Sequence, residues 1–225
     1  MKSRLSKGFT PTPKHSVDLG FEGVKSGLVR GFTLVELLIV IGLLGAIALI
    51  VISAINPIEQ ANKARDARFK ADASQMISAV ERYYASNSKF PWEGCASANC
   101  KTTSSEEFAF ISVGDPAVGL CSTDACTAGG LLVNSNELKN EFLGRDWAKT
   151  ADDDLKIFMG KAIGSSSSVY ACFIPKAKSS QDVAVTNDTV RSLSFSTGGI
   201  PATNATCTSS TDDWAVANCY VCIPE

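Results

Sequence analysis

Residues 32–55 read FTLVELLIVIGLLGAIALIVISAI, and this stretch decides how the rest of the chain is read. It contains one charge, Glu36, and from Leu37 to Ile58 there is none over 22 residues. A helix of that length rises about 33 Å, enough for a bilayer core of about 30 Å. A helix in a soluble core rarely stays apolar on every side for about six turns, because one face normally meets water. The segment therefore predicts a membrane-spanning helix over residues 32–57.

Upstream lies a basic head. Residues 1–31 carry Lys2, Arg4, Lys7, Lys14, Lys25 and Arg30 against Asp18 and Glu22, a charge of +4 in a chain whose net charge is -2. The remaining residues hold -6. A cationic stretch before an apolar run is a targeting pattern, with the N-terminus retained in the cytoplasm and the residues after about 57 outside. The single histidine, His15, lies in this leader. A chain that has lost the leader has no histidine, which excludes Ser-His-Asp and Cys-His catalysis and histidine-containing metal sites. We expect no enzyme. An ordinary cleaved signal peptide, with Ala46-Ile47-Ala48 as its small-x-small site, explains the segment less well. It would leave Leu49-Ile50-Val51-Ile52 uncovered near a new terminus, and it gives Glu36 no purpose.

A carboxylate placed in hydrocarbon costs on the order of 3 kcal/mol, so it calls for a partner. No Lys or Arg follows it in the apolar run. An amine created by cutting the chain before Phe32 would lie four residues away, about 6 Å along a helix axis. Arg30-Gly31-Phe32-Thr33-Leu34-Val35-Glu36-Leu37, with the apolar helix behind it, closely resembles the class III signal of type IV pilins and type II secretion pseudopilins. The resemblance is strong over residues 30–70 and extends to about Trp92 through Tyr83-Tyr84 and Lys89-Phe90-Pro91. It implies that a prepilin peptidase cuts between Gly31 and Phe32 and methylates the Phe32 amine. Glycine suits the site because it lets a protease approach the backbone. Two earlier Gly-Phe pairs, Gly8-Phe9 and Gly20-Phe21, precede no apolar run and are not competing sites. The resemblance also implies a polymer, in which Glu36 pairs with the Phe32 amine of a neighbouring copy and fixes the subunit register. Gly42, Gly45, Ala46 and Ala48 are small residues that would let such helices approach closely.

Downstream, Asn56-Pro57 interrupts the apolar segment, and we expect a kink near residues 53–57, since proline removes a backbone donor. Helical periodicity then resumes: Ile58, Ala61, Arg65, Phe69, Ala73, Met76, Val80 and Tyr83 recur at three- or four-residue steps. This predicts an amphipathic stem helix over 58–90, with Lys63, Asp66, Lys70 and Arg82 on a solvated or intersubunit face. Residues 91–225 form the head. All eight cysteines fall in it, as expected on the oxidising side of a membrane: Cys95, Cys100, Cys121, Cys126, Cys172, Cys207, Cys219 and Cys222. The spacing suggests two local bridges, Cys95 with Cys100 and Cys121 with Cys126, and leaves the pairing of the other four open. Cys219-Tyr220-Val221-Cys222 is a C-x-x-C, too little alone for zinc or redox chemistry. Residues 134–147 and 152–163 have helical spacing. Residues 168–174, 189–196 and 219–223 read as three strands of an antiparallel sheet. The fold expected is α+β and pilin-like, a long N-terminal helix packed on a small sheet. Asp152-Asp153-Asp154 and Asp212-Asp213 raise a calcium site as the rival to a capped helix start and a solvated loop, without the spacing of an EF-hand. No other metal or cofactor is expected. Asn187-Asp188-Thr189 and Asn204-Ala205-Thr206 match the short glycosylation pattern.

The expected function is structural: a subunit of a type IV pilus-like or type II secretion pseudopilus filament. Its partners would be copies of itself, other pilin-like subunits, the prepilin peptidase and methyltransferase, and a membrane assembly platform. The chain would sit in the cytoplasmic membrane with its head outside, and then in an extracellular fibre. The alternative is a non-polymerising, membrane-anchored binding protein. Nothing in the sequence selects adhesion, motility, secretion or uptake of nucleic acid.

Overall fold

The computed structural model describes residues 31–54 and 56–224. The leader expected over residues 1–31, with His15 and the two spare Gly-Phe pairs, otherwise lies outside the described residues. The chain divides into two compact units, one ending at Ala54 and one beginning at Ile55.

The first unit contains helix α1, Leu34–Ala54. Its side chains stay exposed from Phe32 to Ser53, and Leu34–Ser53 is long and apolar enough to cross a bilayer. The second unit opens with helix α2, Pro57–Asn87. Asn56 leaves the helical region (φ -86°, ψ 96°) and its side chain accepts a hydrogen bond from the Glu59 N–H at 3.3 Å. Pro57 is thus the first residue of a new helix, where its missing N–H has no partner to lose. The expected kink is a break with its own N-cap. At the far end, Ser88 adopts a left-handed conformation (φ 56°) and its N–H closes on the Tyr84 carbonyl at 2.7 Å.

The head is α+β. Six strands form one antiparallel sheet in the order β1-β2-β3-β6-β4-β5. They are β1 (Phe108–Ser112), β2 (Ile157–Lys161), β3 (Val169–Phe173), β4 (Val190–Ser192), β5 (Ala202–Thr203) and β6 (Tyr220–Ile223). The sheet curls into a half-barrel: just beyond β4, the Ser194 carbonyl accepts from the Phe110 N–H of β1 at 3.2 Å. Gly198 lies against β1 so closely that a Cβ there would come within 2.7 Å of the Phe108 nitrogen. Three short helices complete the head: α3 (Leu131–Asn134), α4 (Asp146–Lys149) and α5 (Lys178–Thr186).

Both faces of the sheet are covered. α2 packs Phe69, Ala73, Met76 and Val80 against Ile157, Met159, Ala171 and Phe173. On the other face Phe110, Phe158, Cys172, Val190, Trp214 and Tyr220 form a second core. Each large side chain so buried contributes about 1.5–3 kcal/mol. A bulge in β1 sorts its two phenylalanines: Phe108 opposes Lys161 but Ile111 opposes Met159, so one extra residue lies between. Phe108 therefore joins the first core and Phe110 the second, although two residues apart they would otherwise share a face.

Several expectations change. Residues 134–147 are not one helix but α3, a 3₁₀ turn over Asn140–Gly144, and α4. Leu132, Leu138, Phe142 and Trp147 each reach the core from a separate turn. Residues 152–163 form a 3₁₀ turn followed by β2 rather than a helix. Every residue of β2 is buried, so Ile157-Phe158-Met159 shows no alternation.

The expected solvated face of α2 also differs. Asp66 is only 5% exposed. Its carboxylate accepts from the Lys176 N–H at 3.0 Å and the Ala177 N–H at 2.8 Å. One turn earlier, Asn62 donates to the Lys176 carbonyl at 3.2 Å. Arg65 donates to the Asp154 carbonyl at 2.9 Å and the Ile174 carbonyl at 3.4 Å. Glu59 accepts from the Lys178 and Ser179 N–H groups, both at 3.1 Å, capping α5 from another helix. Ile58, expected on the packed stripe, is 72% exposed. The first three turns of α2 thus hold the head through side-chain bonds to the backbone of Asp154 and of residues 174–179, and the later turns hold it through apolar contact. Further on, buried Asp72 accepts from Trp147 Nε1 at 2.9 Å and pairs with Arg145 at 3.3 Å, which anchors α4. Arg82 does lie at the surface, paired with Glu137 at 2.9 Å.

Asp66→Ala leaves buried N–H groups without an acceptor and is expected to cost about 3 kcal/mol in urea unfolding of the oxidised chain. Arg68→Ala, exposed on the same helix, should change stability by less than about 0.5 kcal/mol. The Ser179 N–H, with that of Lys178, holds the Glu59 carboxyl below its ordinary value of 4.5. A depressed folded-state pKa gives stability that is complete above the ordinary value and lost as pH falls through the lower one. The amide resonances of Lys178 and Ser179 should therefore titrate below pH 4.5, and should not do so in Glu59→Gln.

Candidate functional site

The residues singled out around the start of α1 lie together. Gly31, Phe32 and Thr33 precede the helix, all exposed, with Phe32 at 73%. A Cβ on Gly31 would meet nothing within 4 Å. The Gly31–Phe32 peptide is therefore non-helical and both its residues are exposed, which suits the approach of a protease to the backbone. Thr33 caps the helix: its Oγ1 accepts from the Glu36 N–H at 3.2 Å, and its carbonyl from the Leu37 N–H at 3.2 Å. Thr33-Leu34-Val35-Glu36 is a capping-box pattern, T-x-x-E, whose threonine half is formed here. Thr33 is thus a residue that the sequence reading missed, although its signal was present in the spacing.

Glu36 lies in the first turn of α1, where a carboxylate interacts favourably with the helix dipole. Its carboxylate has no cationic partner among the described residues. With Phe32 still joined to Gly31, the Phe32 nitrogen is an uncharged peptide N–H. Cutting that bond would place an amine four residues back, on the side of the helix start where the Thr33 cap already ends the backbone ladder. From Leu37 to Ile52 the surface of α1 is apolar side chain, interrupted by Gly42 and Gly45, at each of which an added Cβ would meet nothing within 4 Å.

In the head, the eight cysteines form four bridges: Cys95–Cys100, Cys121–Cys126, Cys172–Cys222 and Cys207–Cys219. Cys172 and Cys222 are direct cross-strand neighbours of β3 and β6, so the bridge ties the middle of the sheet. Cys219 and Cys222, the C-x-x-C pair, bond to different partners. A groove of ≈ 710 Å³ opens between the first two pinned loops. Asn99, Asp115, Thr123, Asp124 and Asn134 line it. Asp115 is already committed, accepting from Asn99 Nδ2 and the Ala117 N–H, both at 2.8 Å.

The two acidic clusters are bound to protein groups. Asp153 pairs with Lys156 at 2.6 Å, and Asp154 with Lys176 at 2.8 Å. Asp212 accepts from the Thr208 and Ser209 N–H groups at 2.7 and 2.9 Å, and the Thr208 bond above all holds its carboxyl below the ordinary range. Among the described residues no group of His, Cys, Asp and Glu is arranged to hold a metal ion. The Asn204 carboxamide is also engaged, donating to the Ala217 and Asn218 carbonyls and accepting from Thr206, while Asn187 is exposed at the end of α5.

No family model, curated protein or solved structure matches this chain.

Bridges closing different loops should differ in their contribution to stability. Cys95–Cys100 spans 5 residues and Cys172–Cys222 spans 50. The chain-entropy relation gives about 2 kcal/mol for the first and about 4 kcal/mol for the second. Paired serine substitutions, compared by urea unfolding, should show that twofold difference.

Proposed function

We propose that the chain is a precursor of a structural filament subunit of the type IV pilus or type II secretion pseudopilus kind. In this reading α1 is first a single-pass anchor in the cytoplasmic membrane, with the head outside. A prepilin peptidase removes residues 1–31 and methylates the Phe32 amine. Processed copies then leave the bilayer and pack their α1 helices together in a fibre core, displaced by a membrane assembly platform and joined by other pilin-like subunits.

One observation carries this reading: Glu36, without a cationic partner among the described residues, begins a helix that is apolar and exposed from Leu37 to Ile52. Burying that helix, in lipid or against copies of itself, buries the carboxylate. The cost is offset if a terminal amine is made four residues away, on the same chain or on a neighbour, and a pairing between chains also sets how far one copy slides along the next. The open Gly31–Phe32 peptide is where such an amine would be produced. The alternative is an anchored binding protein that does not polymerise, and the groove between the two pinned loops of the head is the observation in its favour.

Glu36→Ala and Glu36→Gln separate the two. Both variants should insert into membranes as the natural chain does, measured by alkaline extraction, because the span loses a charge and gains apolar character. Filaments counted by electron microscopy should fall at least about 100-fold, since removing one partner of a buried ion pair costs several kcal/mol. Filaments formed at the natural level by both variants would overturn the reading.

A further inference from the structure

We infer that Thr33 is a positioning residue for removal of the leader: its cap fixes the start of α1 in the register that leaves the Gly31 carbonyl open to hydrolysis. This role rests on the processing step proposed above and is independent of polymerisation. In that step the oxygen of a water molecule bonds to the Gly31 carbonyl carbon. The carbon–nitrogen bond to Phe32 then breaks, and the nitrogen takes up a proton and leaves as an amine. Stabilising the charge that develops on the carbonyl oxygen is usually the largest contribution to such catalysis, so the peptidase must reach that oxygen. A helix holds its carbonyls in its own bonds, and the point at which α1 begins therefore decides whether this one is within reach.

Two residues ahead of α1 are able to cap it, Thr33 and Gly31. Threonine and glycine rank alike as N-caps, whereas Phe32 between them has no side-chain acceptor. With Thr33 as the cap, the first carbonyl of the ladder is its own, which accepts from the Leu37 N–H at 3.2 Å, and its Oγ1 takes the Glu36 N–H at 3.2 Å. The Val35 N–H and the Gly31 carbonyl make no hydrogen bond among the described residues. With Gly31 as the cap, α1 would begin two residues earlier, and the Gly31 carbonyl would accept from the Val35 N–H. The bond that lengthens the helix is thus the one that withdraws the scissile carbonyl.

Little else stands against the longer helix. A Cβ on Gly31 would meet nothing within 4 Å, and Phe32 is 73% exposed, so no packed contact holds either residue out of it. Thr33 does oppose it. To enter the helix, this weak helix former would give up the Glu36 N–H to the Phe32 carbonyl, and its hydroxyl would lose the bond it now makes. A residue at position 33 without a side-chain acceptor has no such bond to lose. It leaves Gly31 as the better cap, and alanine in particular favours the longer helix.

The test follows cleavage of the full chain in detergent micelles by the prepilin peptidase of the cell that makes it, with products assigned by mass. Thr33→Ala and Thr33→Val lack the hydroxyl, and valine keeps the shape of threonine. Thr33→Ser and Thr33→Asn keep an acceptor. kcat/KM should fall about fivefold in the first two, the ratio that loss of one N-cap gives, and stay within about twofold of the natural chain in the other two. Amide exchange followed by NMR in the same micelles should be slow at Val35 in Thr33→Ala and fast in the natural chain and in Thr33→Ser. The substitutions lie in the unit that ends at Ala54, and unchanged disulfide maps would show that the head has folded. Cleavage of Thr33→Ala or Thr33→Val at the natural rate, slow cleavage of Thr33→Ser or Thr33→Asn, or the same Val35 exchange in every chain would each overturn the proposal and leave the processing step standing. A natural chain that the peptidase leaves whole would refute that step, and this proposal with it.

Discussion

A carboxylate at the head of an uncharged helix must find a counter-charge before that helix can be buried. In this chain the constraint is severe, because the next 22 residues after Glu36 carry no charge at all. Every lateral environment open to such a helix, lipid or another helix like it, has a low dielectric constant, so water offers no escape once the helix is inserted. The Thr33 cap shows how the backbone prepares for this: it ends the helix within one turn of the acid and leaves the Gly31–Phe32 peptide outside the ladder. A new amine at Phe32 would be both near the acid and near the unsatisfied N–H groups of the first turn.

The second unit solves a different problem, how a helix that follows an apolar segment can also belong to a disulfide-bonded α+β head. α2 does so by changing its chemistry along its length. Its first turns bind the backbone of Asp154 and of residues 174–179 through Glu59, Asn62, Arg65 and Asp66. Its later turns pack Phe69, Met76 and Val80 on the sheet. Past Ser88 the chain is tied by a ladder of near-parallel rings, Tyr84 on Phe90, Phe90 on Trp92 and Trp92 on Phe108, with centroids 4.3, 4.7 and 4.2 Å apart. Lys161 lies 5.2 Å over the Phe90 ring, and its ammonium is satisfied by the carbonyls of Ser104, Ala162 and Gly164. Of the four disulfides, two pin the short loops 95–100 and 121–126, and Cys172–Cys222 joins β3 to β6.

Elements whose signal is local were legible in the sequence. α1 follows from composition alone, the packed half of α2 from its three-and-four spacing, and β3 and β6 from short β-rich runs between turn residues. The two short bridges followed from cysteines five positions apart. What the sequence hid depends on contacts distant in the chain. β2 was read as helix because a strand covered on both faces loses its alternation. Asp66 was read as solvated because its partners, the amides of Lys176 and Ala177, lie 110 and 111 residues away. α5 was missed because its nine residues are capped by Glu59 of another helix rather than by a residue of its own. At the candidate site Gly31, Phe32 and Glu36 were singled out from their pattern, and the structure places them together around the start of α1. Thr33 escaped because its role is in the backbone of the first turn, although T-x-x-E was there to be read.

The most direct measurement is the intact mass, with N-terminal fragmentation, of the chain recovered from the envelope of the cell that makes it. A chain that begins at Phe32 and carries one methyl group on its terminal nitrogen is the predicted result. A chain that retains residues 1–31, or one cut after Ala48 and so lacking Glu36, would contradict it.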